Sequence, residues 1–221
     1  MSQDFAGFPD ETAAFLNGLK ANNNRQWFAA NKPLYERSVK RPAEQFCAAV
    51  ADGLQALTGT AHRSKIFRIH RDLRFSRDKT PYNAHLHISF IPEGESLSPP
   101  CWFFGLDPDR LTLGAGLFAF DKPSLETFRR RVAGKDGSAL AERLRSLERD
   151  GIRLGKPELK RLPAGYPPDH PRADLLRRKS LAVWQDLGDG HAATSPQIVK
   201  TCLASFARLK PVYDWLLETG T

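Results

Sequence analysis

Apolar residues recur along the chain with two different periods, and the change between them divides it into three stretches. In the first sixty residues the spacing is helical: Phe15, Leu16 and Leu19 fall on one face, and Phe46, Ala49, Val50, Gly53, Leu54 and Leu57 form a second stripe. Pro33 and Pro42 are expected to break this stretch, because proline lacks an N–H and crowds the preceding turn. The pattern predicts three helices: Pro9–Ala21, Arg25–Ala30 with an extension through Tyr35, and Pro42–Leu57.

From residue 63 to 118 the apolar positions alternate. Leu86, Ile88 and Phe90 share one face of an extended segment, and His85, His87 and Ser89 share the other. Phe67 and Ile69 alternate with Arg68 and His70 in the same way; Trp102, Phe104 and Leu106 make a third run, and Leu111 and Leu113 a fourth. Turn-forming residues at Asp78–Asn83, Glu93–Pro100 and Asp107–Asp109 separate the runs. Links this short suit an antiparallel meander, since a parallel pair needs a crossover of about a dozen residues. Phe67, Ile69, Leu86, Ile88, Phe90, Trp102 and Phe104 are the expected core-facing set.

Helical spacing then returns over Pro123–Val132, Ser138–Arg149, Arg172–Asp186 and Pro196–Leu217. Ser195 is placed to cap the last helix with Pro196 at its first position, and Pro211 is expected to bend or interrupt it. The segment Gly155–Pro171 has no period and holds five of the sixteen prolines. Helices, then an antiparallel sheet, then helices is the α+β class. The expected architecture is one domain over 1–221, with helices about 9–57, a single antiparallel sheet of about four or more strands at about 63–118, and helices about 123–217. The N- and C-terminal helices would cover the sheet.

Composition adds limits. A hydrophobic fraction of 41% with 26% charged residues is ordinary for a chain that buries a core. No run approaches the ~20 apolar residues of a membrane span. Met1–Phe15 carries Asp4, Asp10 and Glu11 in place of a basic-then-apolar leader. Cys47, Cys101 and Cys202 are odd in number and widely spaced, so neither a disulfide framework nor a structural zinc site is expected. These features predict a cytoplasmic protein with no membrane segment, no metal and no cofactor. Lys and Arg number 33 against 25 Asp and Glu, and this net +8 favours an anionic partner.

The run from Phe67 to Asn83, Phe-Arg-Ile-His-Arg-Asp-Leu-Arg-Phe-Ser-Arg-Asp-Lys-Thr-Pro-Tyr-Asn, resembles the signature of a family of conserved hypothetical proteins, domain of unknown function 2461. Further blocks agree: Phe15-Leu16 through Asn22-Asn23-Asn24-Arg25-Gln26-Trp27-Phe28, Lys32 to Tyr35, Gly114 to Phe118, Leu159 to Tyr166, His170-Pro171 and Lys179. The resemblance spans nearly the whole chain. It implies one domain of α+β fold and carries over no catalytic residue. Ala115 and Phe118 depart from the Gly and Tyr that members tend to have there.

The densest chemistry lies in Arg63–Lys79, where Arg63, Lys65, Arg68, Arg71, Arg74, Arg77 and Lys79 face only Asp72 and Asp78. Arg68 and His70, projecting opposite to Phe67 and Ile69, would share a face with His85, His87 and Ser89. Guanidinium forks suit phosphate or carboxylate, and an ordered Ser76–Asn83 turn, bonded by Asp78 and Thr80 and stiffened by Pro81, would present Arg77 and Lys79. The ligand-binding set expected is Arg68, Arg74, Arg77, Lys79, Tyr82, His85 and His87, holding a phosphorylated or carboxylated small molecule. The bland alternative is a solvated sheet face whose charges pair with helix acids such as Glu36 and Glu44.

A nucleic-acid-binding module would use the same face together with Lys160, Arg161 and the basic residues around Arg177, and an interaction domain without ligand would pair its charges internally. His85 and His87 could ligate a metal beside His70 and Asp72, but neighbouring arginines repel a cation. His87-Ile88-Ser89 fits one element of two-histidine phosphoesterases; its second copy, His62-Arg63-Ser64, lacks a strand context. Gly114-Ala115-Gly116 is read as a close turn, not a dinucleotide fingerprint. No nucleophile elbow, catalytic carboxylate pair or metal tetrad occurs, so no reaction is assigned and enzyme and binder both stay open.

Overall fold

The structure, a computed structural model, describes residues 5–94 and 98–219. Residues 95–97 of the expected Glu93–Pro100 turn, and Asp4 of the N-terminal reading, lie outside these. The elements are α1 (Asp10–Ala21), α2 (Arg25–Tyr35), a π-helical turn (Glu36–Lys40), α3 (Arg41–Thr58), β1 (His62–Ile66), β2 (Leu86–Pro92), β3 (Cys101–Asp107) and β4 (Arg110–Leu117). There follow α4 (Lys122–Ala133), α5 (Asp136–Arg149), β5 (Arg153–Leu154), α6 (Ala173–Leu176), β6 (Leu181–Asp186), a 3₁₀ turn (Gly190–Thr194) and α7 (Ile198–Leu217). The fold is α+β, with a six-stranded antiparallel sheet in the order β1-β2-β3-β4-β6-β5. Among the described residues no helix is long and apolar enough to cross a membrane.

Contacts divide the chain into two compact units, the first made from Met1–Glu93, Phe103–Leu113 and Asp186–Ser205, the second from Gly94–Trp102, Gly114–Gln185 and Phe206–Thr221. In the first unit the two prolines do not break the N-terminal helices. Tyr35, Glu36, Lys40 and Arg41 are all right-handed helical, so α2, the π turn and α3 run on as one helix. The ladder widens at the π turn, where the Arg41 N–H reaches back to the Glu36 carbonyl. Pro42 has no N–H to give the Ser38 carbonyl four residues back, and the buried Thr12 hydroxyl donates to that carbonyl instead, at 2.5 Å. An orphan acceptor thus becomes the tie between α1 and the long helix.

The core of this unit is aromatic. Phe46 meets Phe104 with ring centroids 4.5 Å apart, and Phe8 and Phe90 pack on Phe46 at 5.3 and 6.5 Å. Leu86, Ile88, Phe90 and Phe104 are buried as the alternation requires. The first strand, however, is not Phe67–His70. It is His62–Ile66, an edge strand whose middle residues are exposed, paired with β2 from His62 opposite Pro92 to Ile66 opposite Ile88. An edge strand with three exposed middle residues needs few apolar positions, so its polar sequence hid it. Phe67 is 43% exposed and is not a core residue, whereas Ile69 is buried from a loop.

In the second unit Trp102 stacks on Tyr213 at 4.1 Å, and Phe128 meets Phe120 and Trp215 at 4.6 and 5.8 Å. Arg131 lies over the Trp215 ring at 4.2 Å and donates to the Trp215 carbonyl at 2.8 Å. The helix expected over Arg172–Asp186 is corrected to the single turn α6 followed by strand β6, with Leu181 and Val183 buried in alternation. Gly114-Ala115-Gly116 lies inside β4 and is no turn. A Cβ on Gly114 would sit 2.5 Å from the Trp184 ring, and one on Gly116, whose φ is +139°, 2.1 Å from the Leu181 carbonyl oxygen, so these glycines allow β4 to pass close to β6. Pro211 stands inside α7 without ending it, and the Ser195 Oγ accepts the Gln197 N–H just before that helix.

Candidate functional site

The site begins with the loop between β1 and β2. Asn23, at the end of α1, grips this loop with both ends of its amide: Nδ2 donates to the Tyr82 carbonyl at 2.9 Å, and Oδ1 accepts the Tyr82 N–H at 3.0 Å. Tyr82 is buried and stacks on Phe28 of α2 at 4.3 Å, with His70 against both rings at 5.1 and 5.8 Å. Backbone bonds from Arg71 N–H to the Pro81 carbonyl and from Asn83 N–H to the Ile69 carbonyl, 2.9 and 2.7 Å, close the base of the loop.

Its tip is organised by Arg71. That guanidinium donates to the Asp78 carboxylate at 2.5 Å, to the Thr80 carbonyl at 3.3 Å, to the Thr80 hydroxyl and to Ser76 Oγ at 3.3 Å. The Thr80 N–H donates to Asp78 at 2.9 Å, and this bond, with Arg71 and the Thr80 hydroxyl, holds the Asp78 carboxyl down to about 2. Asp72 is likewise occupied: Arg74 binds it through Nε at 3.0 Å and Nη2 at 2.7 Å, which lowers its pKa. Lys79 Nζ donates to the Leu73 carbonyl at 3.1 Å.

Behind the loop, β2 turns Leu86 and Ile88 to the core, and His87 outward. His85 and His87, two apart on an extended chain, stack with centroids 3.8 Å apart. Gly105 of β3 makes room for them: a Cβ there would lie 3.2 Å from His87 Cδ2 and 3.4 Å from its Nε2. Asp107 at the end of β3 stands 3.8 Å from His85 Nδ1. Partial burial lowers the His85 pKa against the pull of Asp107, with Arg71 adding to the fall. His87, packed on its neighbours while one side meets solvent, is pushed down to about 4 by desolvation, then by His85 and Arg110, against Asp107. Both imidazoles are neutral at pH 7, each offering one donor and one acceptor.

These parts enclose an open cleft of about 410 Å³ lined by Phe67, Arg68, His70, Arg71, Asp72, Asn83, His85 and His87. Of the residues expected from the sequence, Arg68, His85 and His87 line it together. Tyr82 stands behind it in the aromatic cluster, and Arg74, Arg77 and Lys79 lie outside the lining. The Arg68 guanidinium makes no hydrogen bond or ion pair among the described residues, nor does the exposed Arg77. His70, Arg71, Asp72 and Asn83 were missing from the expected set. Arg71 had a signal, since Asp78-Lys79-Thr80 can fold onto a nearby guanidinium. No group of three or more His, Cys, Asp or Glu among the described residues is placed to hold a metal ion.

The profile of the family described as Conserved hypothetical protein (DUF2461) matches residues 11–215. The chain belongs to this family. No curated protein matches it. The Phe67–Asn83 run that resembles the family's signature is the loop that walls the cleft, and the Asn22–Asn24 block contains the amide that fixes it.

Part of the second basic group, the guanidinium groups of Arg177 and Arg178, is committed elsewhere. Buried Arg178 donates to the Gly155 carbonyl at 2.5 Å, Arg177 binds Asp174, and Glu158 accepts the Lys179 N–H at 2.8 Å. These contacts pin the proline-rich segment. A cleft of about 570 Å³ beside it is lined by Glu148, Gly151, Ile152, Arg153, Leu154, Gly155 and Trp184.

Proposed function

We propose that the protein binds a small phosphate- or carboxylate-bearing molecule in the cleft between the Phe67–Asn83 loop and the polar face of β2. One observation carries this reading: Arg68 lines the cleft with no hydrogen bond or ion pair of its own and acts on Asp72 only through its field, while Arg71 and Arg74 beside it are ion-paired with Asp78 and Asp72. An unpaired guanidinium at the wall of a cleft beside two neutral imidazoles suits an oxyanion, which the guanidinium binds through two N–H groups and the imidazoles through one each. The lining loop is already ordered by Arg71 and Asn23, so a ligand meets a preformed wall and little entropy is lost on binding.

The reading favours the cytoplasm, where thiols such as those of the buried Cys47 and Cys202 remain reduced. The test is calorimetric titration with inorganic phosphate, citrate and ribose 5-phosphate. A charge-assisted contact is worth about 1.5–3 kcal/mol, so Arg68→Ala should weaken binding by roughly ten- to a hundredfold with an unchanged melting temperature. Equal binding by wild type and Arg68→Ala, or no saturable binding of any of the three, removes the proposal.

A further inference from the structure

Resting on the reading of the cleft as an anion site, we infer that its occupant is a nucleoside monophosphate, or a related monoanionic or dianionic ligand with a flat heteroaromatic ring, stacked on Phe67 with its phosphate at Arg68. Phe67 is the starting point. The large hydrophobics exposed among the described residues are Phe67, Phe75, Phe118 and Leu217, and of these Phe67 lines the cleft. Every other lining side chain is polar or charged. A lone ring, 43% exposed on a polar wall and immediately before Arg68, is a platform that a sugar phosphate would leave in water and a base would cover.

The polar groups suit the edge of a base. Neutral His85 and His87 each present a donor and an acceptor, and Asn83 keeps its Oδ1 after giving Nδ2 to the Arg68 carbonyl at 3.2 Å. Charge limits the anion to one phosphate, because Arg68 alone among the lining arginines makes no hydrogen bond or ion pair, and the Asp72 carboxylate that its field helps to lower also lines the cleft; Arg71 is held by Asp78. Lys65, its ammonium 5.1 Å from the Phe67 ring centroid, adds positive charge at the platform. The volume of about 410 Å³ falls within the ~300–1,000 Å³ of small-molecule sites.

The experiment titrates the full chain with AMP, ribose 5-phosphate and a short single-stranded oligonucleotide across a salt series. The expected result is AMP bound at least about tenfold more tightly than ribose 5-phosphate, a preference of ~1.4 kcal/mol at the low end for base stacking. Phe67→Ala should abolish that preference and leave ribose 5-phosphate within about twofold, while Phe67→Trp should keep it. Ribose 5-phosphate binding as tightly as AMP to the wild type overturns this inference and leaves the anion site standing. Failure of every phosphate ligand overturns this inference, and failure of citrate as well overturns the anion site. Oligonucleotide binding more than about tenfold tighter than AMP, with a steep loss in salt, overturns it in favour of backbone tracking.

Discussion

The two neutral histidines give a prediction that needs no ligand. His87 has a pKa of about 4 in the folded chain against an ordinary 6.5 when unfolded. Between those values the unfolded chain takes up the proton more readily, so His87 contributes stability that is fully present above pH 6.5 and is lost as pH falls toward 4. His85, lowered for the same chief reason, acts in the same direction. At about 1.36 kcal/mol per pKa unit the ceiling for a sealed His87 would be near 3 kcal/mol. Its ring meets solvent on one side, and screening brings the expected cost to about 1 kcal/mol. In a domain of about 150–250 residues that is roughly 2–4 °C of melting temperature.

Melts of wild type and His87→Gln at about pH 7 and pH 4.5 should therefore diverge, the variant losing about 2–4 °C less on acidification. Imidazole resonances followed by NMR should place the His87 titration well below the ordinary 6.5. His85→Gln should raise the His87 pKa by removing a like charge, though not to 6.5, because desolvation is the larger cause. Asp107→Asn should lower it further. An imidazole of His87 that titrates near 6.5, or melts of His87→Gln that track wild type, would refute the placement of the ring between His85 and Gly105.

Arg71→Ala should free Asp78, Thr80 and Ser76 together: amide exchange at Thr80 should accelerate at least about tenfold with little change in melting temperature, and persistent protection would show that the tip does not depend on this guanidinium. Gly116→Ala should cost about 1–3 kcal/mol in urea unfolding from backbone strain alone, before the contact with the Leu181 carbonyl is counted, and an unchanged midpoint would contradict the approach of β4 to β6.

Much of the fold was legible because burial imposes periodicity. Leu86, Ile88, Phe90, Trp102 and Phe104 alternate since one side of their strands is core, and α1, α3, α4 and α5 follow their apolar stripes closely. The misreadings have physical causes. β1 is an edge strand with exposed middle residues, so it carries no alternation, while Phe67 and Ile69 alternate in a loop. Pro33 and Pro42 signal a break only if nothing else satisfies the ladder; the π turn and the Thr12 hydroxyl supply what the prolines remove, and Thr12 lies 26 residues from its acceptor. β6 was hidden by polar neighbours at Arg177–Ser180 that extend a helical-looking stretch.

The candidate site was legible in its location and only partly in its members, and the reason is electrostatic. Seven cations in Arg63–Lys79 mark a basic segment, yet a cation already paired offers little to a ligand. Arg71 and Arg74 are taken by Asp78 and Asp72, Lys79 by the Leu73 carbonyl, and these pairings, though local in sequence, depend on how the loop closes. That closure is set from a distance, by Asn23 holding Tyr82 and by Phe28 stacking on it. Arg68 escapes pairing because it leaves the edge strand just before the loop turns, which puts it at the wall of the cleft beside His85 and His87. A segment of net positive charge thereby becomes a scaffold that uses Arg71, Arg74 and Lys79 for its own shape and leaves Arg68, of the two arginines lining the cleft the one without a hydrogen bond or ion pair, for a ligand.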